Sequence, residues 1–360
     1  MESPPPGTRL AVKDLFDTAG LRTTYGSAIF ADHVPARTAE SVLLLEAAGY
    51  ANIGKANLHE FAYGVTSENP HYGRVPNPLA EGRIAGGSSG GSAAALAAGL
   101  ADAALGSDSA GSIRIPAACC GVVGFKPSFG LVPIDGCFPL APSFDHAGPM
   151  ARDVAECARM MEALVPGFER LEVQLSDVLV GVAWLGEGDP LVRARLEEAA
   201  AKFPNRRELA LAVPDREQWG AAFRREVLES HAGLYPERAE DYGDDVRRSL
   251  EAATELTDGE VEAARRLRQR LREEVPEALA GVDLLLTPTI PCVAPPYGHG
   301  SRTVLTKLTA LFNLTGWPAL ALPCGAAEAG LPASVQLAAP TGEDALVLAA
   351  GAALEQALSR

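Results

Sequence analysis

The 360-residue chain lacks most of the features that assign a protein at sight. No stretch of 18 apolar residues runs free of charge or turn residues, which excludes a membrane-spanning helix as its organising element. The opening Met1-Glu-Ser-Pro-Pro-Pro has neither the basic nor the apolar region of a signal peptide, so the expected compartment is the cytoplasm. Neither half carries a basic block, and the formal net charge is -15. Nucleic acid and anionic membrane surfaces are therefore poor partners, and a small molecule is the expected one. The 6 cysteines (Cys119, Cys120, Cys137, Cys157, Cys292 and Cys324) show no C-x-x-C spacing, which predicts free thiols. The 6 histidines do not cluster, and His59-Glu60 lacks the second His of a zinc helix. No metal and no cofactor is expected.

What the chain has in quantity is apolar residues (47%), 36 glycines and 27 prolines. That is enough to bury a core around many turns. Short apolar runs alternate with helical patterns. Strands are predicted at 9–13, 51–54, 103–106, 178–185, 282–287, 319–323 and 334–338, and helices at 39–48 (capped by Thr38), 89–100, 153–164, 190–203 and 344–358. Two charged helical stretches, 216–235 and 257–275, read as a solvated covering layer; the second opens on the capping box Thr257-Asp-Gly-Glu260 and is expected to stop at Pro276. Strands alternating with helices predict an α/β fold, a mixed and largely parallel central sheet covered by helices on both faces. No internal repeat is present. A single domain, 1–360, is expected, with the motif-bearing core at 8–165, a variable helical cover at 170–280 and a C-terminal part of the core at 283–358.

The informative stretch is Gly86 to Gly130, where Gly-Gly-Ser-Ser-Gly-Gly-Ser precedes an alanine-rich helix and then Gly106-Ser-Asp-Ser-Ala-Gly-Ser-Ile-Arg-Ile-Pro116. So many Gly and Ser residues without periodicity forgo stable local structure, which suits close approach of backbone to a ligand. Ser112, entering a helix through small residues, is a candidate nucleophile; the amides of Ser109, Ala110, Gly111 and Ser112 are candidate oxyanion donors. A serine needs a base. No histidine is tied to this turn, so Ser88 is a candidate hydroxyl relay to a lysine whose surroundings keep it neutral. Of Lys13, Lys55 and Lys126, Lys13 ends an apolar strand and is the best base, whereas Lys126, before Pro127, is expected in a surface turn. Asp108 is expected to bind loop amides, and Asp145-His146 to be structural. Phe61, Ala62, Tyr63, Phe144 and Trp317 are candidate pocket residues. Gly86-Gly-Ser-Ser-Gly90 also fits the G-x-S-x-G nucleophile elbow, but the strand that motif requires is absent from the loop-like Pro78 to Ala85.

These residues resemble the amidase signature family of serine hydrolases. The resemblance lies in Gly86-Gly-Ser-Ser-Gly-Gly-Ser92, Gly106 to Arg114, Val12-Lys13-Asp14, Gly54-Lys-Ala-Asn57 and Phe125-Lys-Pro127. It is strong over 8–165, weaker over 283–358, and absent as motif between. It implies an amidase of the linear-amide type that takes a small-molecule amide, with Ser112 as nucleophile, Ser88 in a cis peptide as proton relay and Lys13 as base. Lys55, Lys126 and Arg114 then become structural. The same fold also serves as the A-type component of a tRNA-dependent glutamine amidotransferase. The chain departs from the family pattern in having Ala110 where a glycine is usual, few residues before Lys13 and a short middle. Such trimming leaves the cleft more open, or hands its cover to a second copy of the chain or a small partner subunit.

Overall fold

The computed structural model describes residues 5–359; the Met1-to-Pro4 opening lies outside the described residues. The strands, in chain order, are β1 (Arg9–Lys13), β2 (Ala51–Ala56), β3 (Glu68–Asn69), β4 (Gly73–Arg74), β5 (Ala103–Asp108), β6 (Val123–Lys126), β7 (His146–Ala151), β8 (Val180–Val182), β9 (Arg206–Glu208), β10 (Leu284–Pro288), β11 (Ala319–Ala326) and β12 (Pro332–Ala338). The helices are α1 (Glu40–Ala47), α2 (Gly90–Ala97), α3 (Arg114–Cys120), α4 (Val154–Leu164), α5 (Pro190–Ala201), α6 (Arg216–Ser230), α7 (Asp244–Thr254), α8 (Asp258–Ala278), α9 (Arg302–Leu305), α10 (Ala310–Thr315) and α11 (Asp344–Leu358). Ten strands form one mixed sheet in the order β2-β1-β5-β7-β6-β11-β12-β10-β8-β9, and β3 and β4 make a separate hairpin. Parallel pairs (β2, β1, β5 and β10, β8, β9) flank an antiparallel centre.

Alternation along the strands assigns the two faces. Leu10, Val12, Ala103 and Leu105 join one core with residues of α1, α4 and α11, while Ala11 and Ala104 join another with Ala93, Ala94 and Leu96 of α2 and Ala117 of α3. The second face is lined by alanines, so α2 packs close to the sheet. Lys13 follows Val12 and therefore points toward the α2–α3 side. That parity carries the base to the serine turns.

Several expectations change. Thr38 does not cap α1: the cap position is Ala39, and Thr38 Oγ1 accepts instead from the Ala19 amide at 3.0 Å. The capping box at Thr257 and Glu260 forms, but α8 passes Pro276 and ends at Ala278. A proline so near a helix end deprives only the Arg272 carbonyl of its helical donor. The strands β6, β7 and β9 and the helices α3, α9 and α10 carry too little periodicity to be expected; α7 is also not among the expected helices, although its buried Val246, Leu250 and Ala253 recur at helical spacing. Among the described residues the cysteines are free, no helix is long and apolar enough to cross a membrane, and no His, Cys, Asp and Glu group has metal-site geometry.

Candidate active site

The C-terminal end of β1 holds Lys13 fully buried, with Nζ 2.7 Å from Ser88 Oγ and 2.8 Å from Ser107 Oγ. Burial pulls its pKa down to about 7, against smaller opposing effects of Cys137, Asp108 and Asp145. Ser88 is itself fully buried just before α2, in the sequence Gly87-Ser88, whose peptide is cis. Ser107, at the end of β5, was not expected at the site. Its signal was its place beside the second serine turn, but only the β1–β5 pairing brings it to Lys13.

Ser112 lies at the end of the loop leading into α3 and is 7% exposed, the only opening in an otherwise closed trio. Asp108 organises this loop, accepting from the amides of Gly111 (2.7 Å) and Ile113 (3.1 Å) and from Arg114 Nε and Nη2. Burial alone would raise the Asp108 carboxyl; the Arg114 guanidinium overcomes this and holds it well below the usual carboxylate range. Arg114 is fully buried and also bonds Gln336, Asn313 and the Thr309 carbonyl, so it pins the loop to α10 and β12. Since Asp108 occupies the Gly111 amide, that residue leaves the expected oxyanion set. The amides of Ser109, Ala110 and Ser112 carry no hydrogen bond among the described residues. Gly111 has another role: at φ 131 its added Cβ would stand 2.4 Å from Thr309 Oγ1, so only glycine fits. Ala110 is free of positive φ, which explains how a methyl is accommodated there.

A narrow cavity of about 30 Å³ lies over Ser112. Ala62 and Tyr63, two of the candidate pocket residues, line it, with Ser109, Ala110 and, unforeseen, Arg216, Phe223, Arg302 and Thr306. Phe61, Phe144 and Trp317 do not line it. Phe61 packs edge-on to His231 and against Phe138, Phe144 backs Phe223 and lies under Arg268, and Trp317 sits in a separate core with Phe312. An isolated aromatic in an apolar sequence gives no sign of which wall it joins. Arg216 and Phe223 belong to α6, so the region read as a solvated cover also walls the site.

The other lysines hold structure. Lys55 bonds the Phe16 carbonyl, Thr18 and Thr23, and its pKa is lowered to about 8, chiefly by burial. Lys126 is not in a surface turn: it is fully buried at the end of β6, bonding the Pro127 carbonyl, and burial drives its pKa well down. The antiparallel β6–β7–β11 centre, invisible in the sequence, covers it. Among the described residues no histidine side chain hydrogen-bonds Ser88 or Ser112; the His59 backbone amide donates to the Ser88 carbonyl at 3.2 Å. His146 is buried against the Asp108 and Phe144 carbonyls, and His59 pairs with Asp245. This arrangement, with no strand before Ser88, disfavours the elbow.

Comparison with known proteins agrees with this architecture. The family model described as Amidase matches residues 3–175 and 209–348. The A-type component of the glutamyl-tRNA(Gln) amidotransferase of Thermus thermophilus is 39% identical, with 98% of this chain and 85% of the relative covered. Its counterpart in Koribacter versatilis is 34% identical, with 98% and 85% covered. Among solved structures, an amidase superposes with TM-score 0.91 at 38% identity over 99% of this chain and 85% of its own. The A-type component of the same amidotransferase from Thermotoga maritima gives 0.84 at 30% over 99% and 85%. The fold, the motifs and these matches agree that the chain belongs to the amidase signature family of C–N-bond hydrolases.

Proposed function

We propose that the chain hydrolyses a carboxamide through an acyl-enzyme on Ser112. The observation that carries this reading is the buried Lys13 amine, 2.7 Å from Ser88 Oγ with a pKa near 7, so that a large fraction is uncharged at neutral pH. The neutral amine takes the Ser88 proton while Ser88 takes that of Ser112, and Ser112 Oγ bonds to the amide carbon. The carbonyl oxygen, now negative, is received by the amides of Ser109, Ala110 and Ser112. The proton returns through Ser88 to the nitrogen, the C–N bond breaks, and ammonia or an amine leaves. Water, deprotonated by the same relay, then releases the acid and restores Ser112. Asp108 and Arg114 hold the loop and touch no reacting atom.

Two substrate readings share this chemistry. In one the chain is a free-standing hydrolase of small linear amides. In the other it is the A-type component that releases ammonia from glutamine inside an amidotransferase complex, and the names of the curated relatives favour this second reading. Ammonia release by the purified chain, tested on simple primary amides and on glutamine, separates them. Turnover of simple amides without partners upholds the first; turnover of glutamine only after partner subunits are added upholds the second. Replacing Ser112, Ser88 or Lys13 by Ala is expected to lower kcat by orders of magnitude, roughly 10²-fold or more each, with folding intact. Full activity of the Ser112→Ala protein ends both.

A further inference from the structure

We infer that the substrate is a net-anionic amide, a carboxamide that bears a carboxylate and no ammonium group, selected by Arg216 and Arg302. The inference rests on the acyl-transfer reading and names the substrate class of that same site. Both arginines line the Ser112 cavity and also an adjoining cavity of about 400 Å³, whose wall includes Arg224, Arg248 and Asp245. Four guanidiniums thus face one carboxylate, in a chain whose formal net charge is -15.

Asp245 does not balance them. Its Oδ2 is 2.7 Å from His59 Nε2 and 3.6 Å from Arg302. Arg302 also lies 4.6 Å over the Tyr63 ring and bonds the Tyr63 carbonyl, which fixes its guanidinium at the cavity mouth. Arg216 has no carboxylate within ion-pair distance among the described residues; it donates to Thr306 Oγ1 at 3.3 Å and lies over Trp219. Burial, and then the proximity of Arg302, lower the Arg216 pKa, as expected of a cation held without a counter-charge. Among the described residues Arg224 hydrogen-bonds only the Gly220 carbonyl, and its charge acts on the carboxylate of Glu260.

A carboxylate entering this space receives charge-assisted, fork-shaped hydrogen bonds from groups already in position. An ammonium meets surplus positive charge, and among the described residues no Asp or Glu lines the Ser112 cavity to receive it. The nearby Asp145 is buried and occupied by Ser109 Oγ and the amides of Leu140 and Ala141. A zwitterionic amino-acid amide is therefore a poorer fit than its des-amino analogue, which argues for the small-amide reading over glutamine.

The test compares glutaramate (carboxylate, no ammonium), glutamine (both) and butyramide (neither) in steady-state hydrolysis by the purified full chain. Binding of glutarate is measured in parallel by calorimetry. The expected order of kcat/KM is glutaramate first, by about tenfold or more, the effect of one charge-assisted pair. Arg216→Gln is expected to reduce the glutaramate-to-butyramide ratio of kcat/KM, and the affinity for glutarate, by about tenfold, and Arg216→Lys to restore part of both. Added salt weakens glutarate binding. Equal turnover of glutaramate and butyramide, preference for glutamine, or no binding of glutarate overturns the inference even if amides are hydrolysed. Glutarate binding that depends on Arg216, with no amide hydrolysed, upholds the anion site and removes the hydrolytic reading instead.

Discussion

Lys13 is a lysine that burial converts into a base, and its titration has two consequences of opposite kind. Its amine is protonated below about pH 7 and neutral above, so kcat/KM for a neutral amide is expected to rise through about pH 7 and level off. In the unfolded chain the same amine keeps its proton up to about pH 10.4. Between those limits the unfolded state holds the extra proton, so the Lys13 contribution makes the fold more stable as pH rises and least stable at and below about pH 7. A pH–rate profile checks the first, and denaturant midpoints of wild type and Lys13→Met across pH 7 to 10 check the second. Arg114 offers a contrast. Its pair with Asp108 is fully buried on both sides, so Arg114→Met leaves an uncompensated carboxylate and is expected to destabilise by about 3–5 kcal/mol, read by urea unfolding. Lys13, Ser88 and Ser112 were legible as single residues because each stood in a motif with few other reasons to exist. Ser107, Arg216 and Arg302 were not, because nothing in one dimension distinguishes a serine beside a serine turn, or an arginine on a charged helix, from its neighbours.

At the scale of elements, the site is two loops that end in helices, α2 and α3, set against the end of β1. The loop before α3 tolerates little: Gly111→Ala brings a Cβ to 2.4 Å from Thr309 Oγ1 at φ 131. It is expected to lose about 1–3 kcal/mol of stability and to depress amide hydrolysis more than the stability loss explains, since the adjacent amides shift with it. The start of α8 lines neither the Ser112 cavity nor the one adjoining it. Removing its cap by Thr257→Ala is expected to cost about 1 kcal/mol in urea unfolding and leave hydrolysis unchanged. Strands with strict apolar runs, β1, β10, β11 and β12, were readable from the sequence, as were α4 and α11. The antiparallel centre was not. His146–Ala151 and Val123–Lys126 contain glycine, proline and charge, and they become strands because both edges of each are paired. Arg114–Cys120 becomes a helix although Pro116 stands inside it, since a proline in the first turn removes no helical donor.

At the scale of the molecule, one core runs from Leu10 through Val180, Trp219 and Leu284 to Leu354, crossing the motif-bearing, covering and C-terminal parts alike. Cooperative unfolding as a single unit is therefore expected. All 3 tryptophans, Trp184, Trp219 and Trp317, lie after residue 170, so fluorescence reports the later regions while far-ultraviolet dichroism reports the whole. The two transitions should coincide, and separate midpoints would show that the cover folds on its own. The mixed sheet was foreseeable from alternating strands and helices; that α6 walls the site was not, because its charged surface conceals Phe223 and Arg216 on the inner side. The central claim is that a neutral Lys13 drives Ser112 through Ser88. Its most direct test is the pH dependence of covalent modification of Ser112 by phenylmethanesulfonyl fluoride, followed by mass spectrometry of the peptide that carries it. The account predicts a rate that rises with an apparent pKa near 7 and is lost in Lys13→Met. Modification of Ser112 at the wild-type rate in that variant, or a rate flat from about pH 5 to 9 across the lysine's titration, would contradict it.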